Sequence, residues 1–301
     1  MPSPERNSLP VSYSIGVAGT GRIAQALGAL LANRGLSIEA IAGRDEARTR
    51  EAAAFTGAKT TVALEELGRQ CNVVLIAVSD DAIDSTARRI AASAHLPAMA
   101  LHTCGSAGPE LLQALREKGC STGVLHPLQT VPAREAGVQS LSRCYYAYCG
   151  EGAALDCARR LIELLSGKAF HINPAYWALY HAAAVMACNY NVTLVSTALD
   201  LLEEAGVKRE EGLRALSPIL RNTTEILLNS TPEEALTGPI RRGDTGSVAR
   251  HLRALRSAPA EARGLYVAGA RSTLTLARKA GLSSEAAASL ADLLRRDQEQ
   301  L

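Results

Sequence analysis

Three small residues near the start of the chain have the types and spacing of a phosphate-binding turn. The stretch GVAGTGRIAQAL places Gly19, Gly21 and Ala24 in the pattern G-x-G-x-x-A, directly after an apolar, strand-like run. The first glycine permits a tight turn, the second lets the backbone approach a pyrophosphate, and the alanine lets a helix pack closely on a strand. The helix amino terminus attracts negative charge. Because the turn lies at a strand–helix junction, it predicts dinucleotide binding; a glycine turn in a cofactor-free domain is the alternative.

The end of the second predicted strand distinguishes NAD from NADP. NAD sites usually carry an acidic residue there, which binds the ribose hydroxyls. Here the chain reads IAGRDEAR, with Arg44 at that point and Arg48 one turn later, while Asp45 is better placed to cap the next helix. Guanidinium groups suit a 2′-phosphate, so the sequence favours NADP(H), although both arginines could belong to a solvated helix start. The expected cofactor-binding residues are Gly19, Thr20, Gly21, Arg22, Ile23, Arg44, Arg48, Val78 and Ser79.

Two later strand ends carry histidines. LHTCGSAG places His102 and Ser106 after one predicted strand, and LHPLQT places His126 after the next. Ligands of open α/β sheets bind along the carboxyl ends of the strands, so these three residues are candidates to line a substrate site. Either histidine could equally be structural. Cys104 is expected to be a packed small residue, and Asp80 or Asp81 is expected to cap a helix rather than to act in catalysis.

The second half of the chain contains a predicted apolar helix with polar interruptions. YHAAAVMACNYNVTL, from Tyr180 to Leu194, includes His181, Asn189 and Asn191. A buried polar group without a partner costs on the order of 1–3 kcal/mol, so each of these side chains needs a partner. The sequence leaves open whether that partner is protein or substrate.

A turn rich in arginine is the other conspicuous stretch of the second half. In LTGPIRRGDTGSVARHL, Gly238 and Pro239 predict a turn, and Arg242 and Asp244 lie in this turn before a new helix. Arginine offers a fork for a substrate carboxylate. An interhelical turn capped by Asp244 explains the same residues equally well.

The elements that must position these residues change character along the 301-residue chain. The first part alternates short apolar runs with helical periodicity, which predicts a parallel sheet with crossover helices. From Pro174 onward there are long Ala- and Leu-rich helical segments and no convincing strand. We therefore expect a disordered lead-in over residues 1–10, a dinucleotide-binding domain over 11–172 and a helical domain over 173–301.

Composition restricts the classes of partner. The formal net charge of +2 predicts no field that would recruit nucleic acid or a membrane, and no uninterrupted apolar run approaches the roughly 18 residues of a membrane span. The start lacks the apolar region of a signal peptide. Seven cysteines without CxxC spacing suggest reduced thiols in the cytoplasm. We expect no metal site, no nucleic-acid or membrane partner, and a small-molecule substrate.

The motifs taken in order resemble one known family. GxGxxA, HTCGSAG, LHPLQT, HAAAVMACNYN and TGPIRRGD resemble Rossmann-like NADP oxidoreductases with a C-terminal helical domain of unassigned function. These are relatives of 6-phosphogluconate and 3-hydroxyisobutyrate dehydrogenases, ketopantoate reductase and prephenate dehydrogenase. The resemblance covers nearly the whole chain after residue 10. It implies an α/β fold, with a Rossmann-type parallel-sheet domain followed by an all-α domain of the 6-phosphogluconate dehydrogenase type, and a homodimer.

The resemblance also implies roles for individual residues. Many related enzymes carry a lysine early on the first long helix of the second domain, to handle the proton, and an asparagine later on, to orient the substrate. The matching positions are His181 and Asn189, eight residues apart on one predicted helix, so the lysine is replaced. Imidazole, with an ordinary pKa of about 6.5, can act as general acid or base, so histidine could take over the proton transfer of the lysine. The alternative is that proton transfer was lost with the lysine. LHPLQT also resembles a histidine-proline motif of prephenate dehydrogenases, which implies that His126 lies near the substrate. Together with the strand ends and the arginine-rich turn, this makes the expected substrate-binding residues His102, Ser106, His126, Arg242 and Asp244.

The expected function is that of an NADP-dependent oxidoreductase. It would transfer a hydride between NADP(H) and a small carbonyl or hydroxy acid, with a 2-oxo acid such as ketopantoate as the representative substrate. The alternative is an NADP(H)-binding sensor or scaffold protein without turnover, which the replaced lysine allows.

Overall fold

The computed structural model describes residues 13–298, so the lead-in predicted over residues 1–10 lies outside the described residues. The chain divides into two compact units, Met1–Ala187 and Cys188–Leu301. We call them the sheet unit and the helical unit.

Eight strands of the sheet unit form one sheet in the order β3-β2-β1-β4-β5-β6-β7-β8. The strands are β1 Ser14–Ala18, β2 Ser37–Ala42, β3 Thr60–Thr61, β4 Val73–Ile76, β5 Met99–His102, β6 Ser121–Pro127, β7 Tyr145–Gly150 and β8 Lys168–His171. Strands β1 to β6 are parallel. Their order is that of a Rossmann-type sheet, which confirms the predicted fold class.

The last two strands run in the opposite direction, which the sequence did not predict. Strand β7 pairs with β6 antiparallel, with His126 opposite Ala147. Strand β8 is parallel to β7. The expectation of a parallel sheet is therefore correct for the first six strands and wrong for β7 and β8, because an apolar run does not encode the direction of its pairing.

Helices of the sheet unit cover both faces of the sheet. They are α1 Arg22–Asn33, α2 Glu46–Thr56, α3 Leu67–Gln70, α4 Ile83–Ala91, α5 Gln113–Arg116, α6 Arg134–Leu141, α7 Gly152–Leu164 and α8 Trp177–Ala187, with short 3₁₀ segments at Leu64–Glu66, Asp80–Ala82, Pro109–Leu112 and Pro174–Tyr176. Successive residues of β4 belong to two different apolar clusters: Leu75 packs with α1 and α7, and Val74 packs with α4. This alternation reflects the two-residue period of a strand.

The boundary between the units lies later than the sequence predicted. Trp177, at the start of α8, is 2% exposed and packs against Val124, Ala147 and Cys149 of the sheet. Because this contact anchors α8 to the sheet unit, the division falls after Ala187 rather than at 172/173.

The helical unit contains no strand among its described residues, as predicted. Its helices are α9 Asn189–Glu204, α10 Arg209–Asn229, α11 Pro232–Ala235, α12 Thr245–Ala254, α13 Ala260–Lys279 and α14 Ser284–Gln298. A compact apolar core joins α12, α13 and α14 through Val248, Leu274 and Leu290. Helices α9 and α10, in contrast, each bury a single residue.

One stretch of the described chain, Pro174–Glu204, is long and apolar enough to cross a membrane by length and composition alone. This differs from the expectation that no run approaches a span, because the few polar side chains do not offset the surrounding Ala, Val and Leu. The stretch is not one regular helix: Cys188, with φ −111° and ψ −65°, interrupts it between α8 and α9. One such stretch is weak evidence for a membrane span, because the core helix of a soluble protein can have the same length and composition.

Candidate functional site

The glycine turn lies between two strands and lines a large cavity. Gly19 has φ +127°, and a Cβ at this position would come within 2.3 Å of the Ala77 carbonyl oxygen. A Cβ on Gly21 would meet nothing within 4 Å, so this position faces open space. Position 19 therefore requires glycine, both for its positive φ and for the close approach of Ala77, while Gly21 leaves the backbone accessible to a ligand.

The cavity beside this turn has a volume of about 940 Å³, and we call it the glycine-turn cavity. Helix α1 begins at its wall, without a side-chain cap at Gly21 and without an acidic residue in the first turn. The backbone N–H groups and the dipole of this helix end therefore favour an anion. All nine residues expected to bind the cofactor line the cavity, namely Gly19, Thr20, Gly21, Arg22, Ile23, Arg44, Arg48, Val78 and Ser79.

Arginines are concentrated at the walls of this cavity. Arg44 and Arg48 have no acidic partner among the described residues, and Asp45 caps α2 by accepting a hydrogen bond from the Arg48 backbone N–H at 2.8 Å. Arg22 donates to the Pro132 carbonyl oxygen at 2.8 Å and so holds a loop that also lines the cavity. A negatively charged ligand could therefore interact with two unpaired guanidinium groups.

Sequence reasoning missed a fourth arginine at the cavity. Arg89, on α4, lines it and forms a 2.7 Å ion pair with Glu65. Neither its spacing from the glycine turn nor its helix marks it in the sequence. The contact arises because α4 packs beside the strand ends.

His102 holds a loop rather than lining a site. Its side chain is completely buried, its Nε2 lies 2.8 Å from the Gly108 carbonyl oxygen, and its Nδ1 accepts a hydrogen bond from the Cys104 N–H at 3.2 Å. Burial lowers the pKa of His102, so the ring is neutral and donates through Nε2. The expectation that His102 contacts substrate is wrong, because both ring nitrogens are used inside the loop 103–108.

This loop places Ser106 beside Asp80, the residue that follows Ser79 of the cavity wall. The Ser106 hydroxyl donates to Asp80 Oδ2 at 2.8 Å and lies 3.0 Å from the Cys104 sulfur. Asp80 therefore binds the loop instead of capping a helix, which corrects the expectation for it. Burial raises the pKa of the Cys104 thiol, which agrees with a packed residue rather than a nucleophile.

Two imidazole rings converge on the same loop. A Cβ on Gly105 would lie 2.6 Å from His126 Nε2 and 2.7 Å from His181 Cδ2, so both rings contact the loop where the side chain is missing. The ring centroids of His126 and His181 are 6.2 Å apart. We call Asp80, Ser106, His126, Tyr180 and His181 the rim cluster, since they gather at the carboxyl ends of β4, β5 and β6.

Tyr180 completes this cluster, although sequence reasoning left it out. Its hydroxyl oxygen lies 2.6 Å from His126 Nδ1. Burial, followed by the nearby His181, lowers the pKa of His126 to about 4, and burial raises the pKa of Tyr180 to about 12. Both side chains are therefore neutral at pH 7, and the cluster can bind a polar substrate group through neutral hydrogen bonds.

The remaining predicted site residues belong to the helical unit. Asn189 is the first residue of α9, so it does not share one continuous helix with His181, because the backbone departs from helical geometry at Cys188. Arg242 lines a cavity of about 690 Å³ together with Arg241 and Ser283.

Asp244 caps α12, because Ser247 donates to both of its carboxylate oxygens, at 2.8 Å from the backbone N–H and 2.6 Å from the hydroxyl. Its pKa is lowered by these bonds. The cap agrees with the alternative of an interhelical turn capped by Asp244, and substrate binding by Asp244 stays a prediction. Over the described part of the chain, no group of three or more His, Cys, Asp or Glu could hold a metal ion.

Two family models match the sequence. Residues 1–127 match a Rossmann-like domain, and residues 144–273 match a domain of unknown function, DUF2520. No curated protein matches the chain. The two matches agree with a Rossmann-like domain followed by a different region, whereas the relation to particular dehydrogenases stays a prediction.

Solved structures with a similar fold cover most of the chain. A Bacteroides fragilis protein described as an NADP oxidoreductase is 24% identical, with a TM-score of 0.68 over 87% of this chain and 98% of that chain. A Thermotoga maritima protein is 22% identical, with a TM-score of 0.70 over 88% and 98%. The pyrroline carboxylate reductase of Plasmodium falciparum, solved with NADP bound, is 16% identical, with a TM-score of 0.56 over 89% and 97%. At these identities, the likeness shows the fold.

We predict that acid destabilises the sheet unit through His126. An unfolded histidine, with a pKa of about 6.5, takes up a proton between pH 6.5 and pH 4, whereas folded His126 does not, since its pKa is about 4. The stability contributed by the neutral ring is therefore present above pH 6.5 and lost as the pH falls towards 4. Urea unfolding, followed through the fluorescence of Trp177, the single tryptophan, measures this loss.

Carboxylates also take up protons as the pH falls towards 4, and this changes the stability independently of His126. The variant His126→Gln keeps the carboxylates and removes the histidine, so it serves as the control. Between pH 7 and pH 4.5 the free energy of unfolding should fall by about 2 kcal/mol less in the variant than in the wild type. Equal losses in the two proteins would contradict the prediction.

Proposed function

We propose that the protein is an NADP(H)-dependent oxidoreductase that acts on a small carbonyl or hydroxy acid. The observation that carries this proposal is the adjacency of two features within the sheet unit. Val78 and Ser79 line the glycine-turn cavity, and the next residue, Asp80, binds the loop on which His126 and His181 converge. A dinucleotide site and a cluster of groups that can handle protons are therefore neighbours.

The residues at the cavity fit NADP(H). The uncapped start of α1 and the open space at Gly21 suit a pyrophosphate, and the walls supply Arg44 and Arg48 for a 2′-phosphate. NAD sites use an acidic residue at the end of β2 to bind the ribose hydroxyls. The nearest acidic residue here, Asp45, instead caps α2. Two structures of similar fold are described with NADP, which supports the same choice.

When bound, the nicotinamide supplies or accepts the hydride, so the protein contributes position and proton handling. In this proposal His181 gives or takes the proton at the substrate oxygen, and Ser106 and His126 line the substrate. The family resemblance adds Asn189 as the residue that orients the substrate. The chemistry of arginine adds Arg242 as the anchor of a substrate carboxylate. A 2-oxo acid such as ketopantoate is the representative substrate.

The cofactor preference is tested by Arg44→Ala. Removing a charge-assisted contact to a 2′-phosphate should raise the Kd for NADPH roughly ten- to hundredfold, while the Kd for NADH changes little. Calorimetry with both dinucleotides measures the two constants. Arg50→Ala is the matched control, because Arg50 is an exposed arginine that pairs with Glu46 and does not line the cavity. Equal weakening of NADPH and NADH binding would contradict the proposed role of Arg44.

Turnover is tested by following NADPH oxidation with a panel of small 2-oxo acids and aldehydes. We expect His181→Gln to lower kcat roughly 10²-fold and to leave the Kd for NADPH unchanged, because the lost group handles a proton and does not line the cavity. His171→Gln is the control, since His171 is an exposed histidine of β8. A protein that binds NADPH but oxidises it with no member of the panel would instead be the sensor or scaffold described as the alternative.

We further propose that the protein is a cytoplasmic homodimer formed through its helical unit. Helix α10 has 21 residues but buries only Gly212, and α9 has 16 residues but buries only Leu199. Helices with so little buried surface need another apolar surface to be stable. Large exposed apolar residues on these helices are Tyr190, Val192, Leu194, Leu213, Ile219, Ile226, Leu227 and Leu228.

A second copy is a suitable partner for this surface because the helical unit also has an apolar groove. The groove, of about 410 Å³, is lined by residues of α9 and α13, including Leu201 and Leu265, and by Ile240 from the segment between α11 and α12. In a twofold dimer the same surface of each copy contacts the other, so exposed apolar residues of one copy could pack into the groove of its partner.

The dimer is tested by light scattering at micromolar concentration. The wild type should have twice the chain mass of 31.7 kDa, and the double variant Ile219→Asp, Leu228→Asp should have the mass of one chain. Leu128→Asp, at an exposed apolar residue of the sheet unit, should leave the mass unchanged. A wild-type mass of one chain, or recovery of the wild type only with membranes, would contradict the proposal.

A further inference from the structure

The hydrogen bond between Tyr180 and His126 has no role in the function proposed above. It joins α8 to the end of β6 across 54 residues of sequence, at 2.6 Å between Oη and Nδ1. The tyrosine ring itself is fixed by three aromatic neighbours, with centroids 5.3 Å away for Trp177, 5.6 Å for Phe170 and 5.7 Å for His126. The hydroxyl therefore has one well-defined position.

The direction of this hydrogen bond follows from the partners that each group has. Among the described residues, the Tyr180 hydroxyl has no hydrogen-bond partner besides His126 Nδ1, and His126 Nε2 has none. If Nδ1 carried the proton and donated it, the Tyr180 hydroxyl hydrogen would be left unpaired in a half-buried place, and Nε2 would be an acceptor. If Tyr180 donates to Nδ1, both hydroxyl and Nδ1 are satisfied.

With Tyr180 as the donor, the proton of the neutral imidazole must lie on Nε2. That nitrogen is the ring atom that approaches Gly105, at 2.6 Å from the position of the missing Cβ. His181 contacts the same position. The unpaired N–H of His126 thus lies beside the imidazole that the proposed function uses for proton transfer.

We infer that Tyr180 is a positioning residue that holds His126 in the Nε2–H tautomer, so that His126 donates a hydrogen bond to the substrate oxygen. This inference rests on the proposed function for the identity of the ligand as a carbonyl or hydroxyl oxygen. His126 and His181 then have different tasks: His126 stabilises charge on the oxygen, and His181 transfers the proton. A fixed donor aimed at developing negative charge accelerates such a reaction because it needs no reorganisation.

The charge state of the pair supports this division of tasks. Burial and the neighbouring His181 lower the pKa of His126 to about 4, so it stays neutral at physiological pH and does not act as a charged acid. Burial raises the pKa of Tyr180 to about 12, so its hydroxyl keeps the proton that it donates to Nδ1. The bond therefore persists over the whole pH range in which a cytoplasmic enzyme works.

The inference is tested on the free protein by ¹⁵N NMR of the histidine side chains. His126→Gln identifies the two His126 signals among those of the six histidines. In the wild type we expect a protonated Nε2 and an unprotonated Nδ1 with the shift of a hydrogen-bonded acceptor. In Tyr180→Phe the Nδ1 signal should move to the shift of a free acceptor or show a mixture of tautomers. A protonated Nδ1 in the wild type, or an unchanged Nδ1 signal in Tyr180→Phe, would overturn the inference.

Two controls separate the hydrogen bond from general packing. Tyr176→Phe removes a hydroxyl from a tyrosine that is 63% exposed, and it should leave the His126 signals unchanged. Trp177 lies against the Tyr180 ring, so its fluorescence spectrum should be the same in the wild type and in Tyr180→Phe if the ring keeps its place.

The kinetic consequence is a loss in kcat. With an active substrate, Tyr180→Phe should lower kcat about tenfold and change KM less than twofold, because the oriented donor matters most when charge develops on the oxygen. A raised KM with unchanged kcat would overturn the inference, since it would describe a ground-state contact. If the wild type shows no turnover at all, the proposed function fails, and the NMR result alone decides whether Tyr180 fixes His126.

Discussion

The candidate site depends on the lack of a side chain at Gly105. Two imidazole rings occupy the region where a Cβ would lie, so any other residue would displace His126, His181 or the loop itself. The loop can hold this position because buried His102 bonds to it at both ends, through the Cys104 N–H and the Gly108 carbonyl. One histidine therefore fixes the backbone against which two others are placed, and Ser106 reaches Asp80 from the same loop.

The glycine-turn cavity could be predicted from the sequence, and the rim cluster only in part. The turn is encoded locally: Gly19, Gly21 and the cap Asp45 lie within one strand–helix–strand segment, so spacing alone places them. Strand ends also identified His126 and Ser106 as neighbours. His102 and His126 both lie at the end of a predicted strand, so the sequence does not distinguish them. Only the folded loop shows that the His102 ring is enclosed and the His126 ring is not.

Long-range packing explains what the sequence did not show. The contact between Tyr180 and His126 spans 54 residues, and Arg89 reaches the cavity because of how α4 packs. The boundary between the units lies after Ala187, later than predicted, because the large buried ring of Trp177 packs α8 against the sheet. Aromatic residues make up only 4% of the chain, so the rings around β7, β8 and α8 form an unusually concentrated cluster in a protein whose other cores are aliphatic.

The reversal of β7 and β8 has a consequence for insertions and deletions. Because β8 runs against β6, the chain leaves the sheet at the edge opposite the rim, and α8 must return along the sheet to bring Tyr180 and His181 beside His126. A residue inserted within α8 between Trp177 and Tyr180 would move Tyr180 and His181 by about 1.5 Å along the helix axis and turn them by about 100°, away from His126, while Trp177 stays packed on the sheet. The first turn of α8 is therefore constrained in its length more strongly than in its sequence, and homologous chains should tolerate substitutions at the exposed Ala178 and Leu179 far better than gaps there.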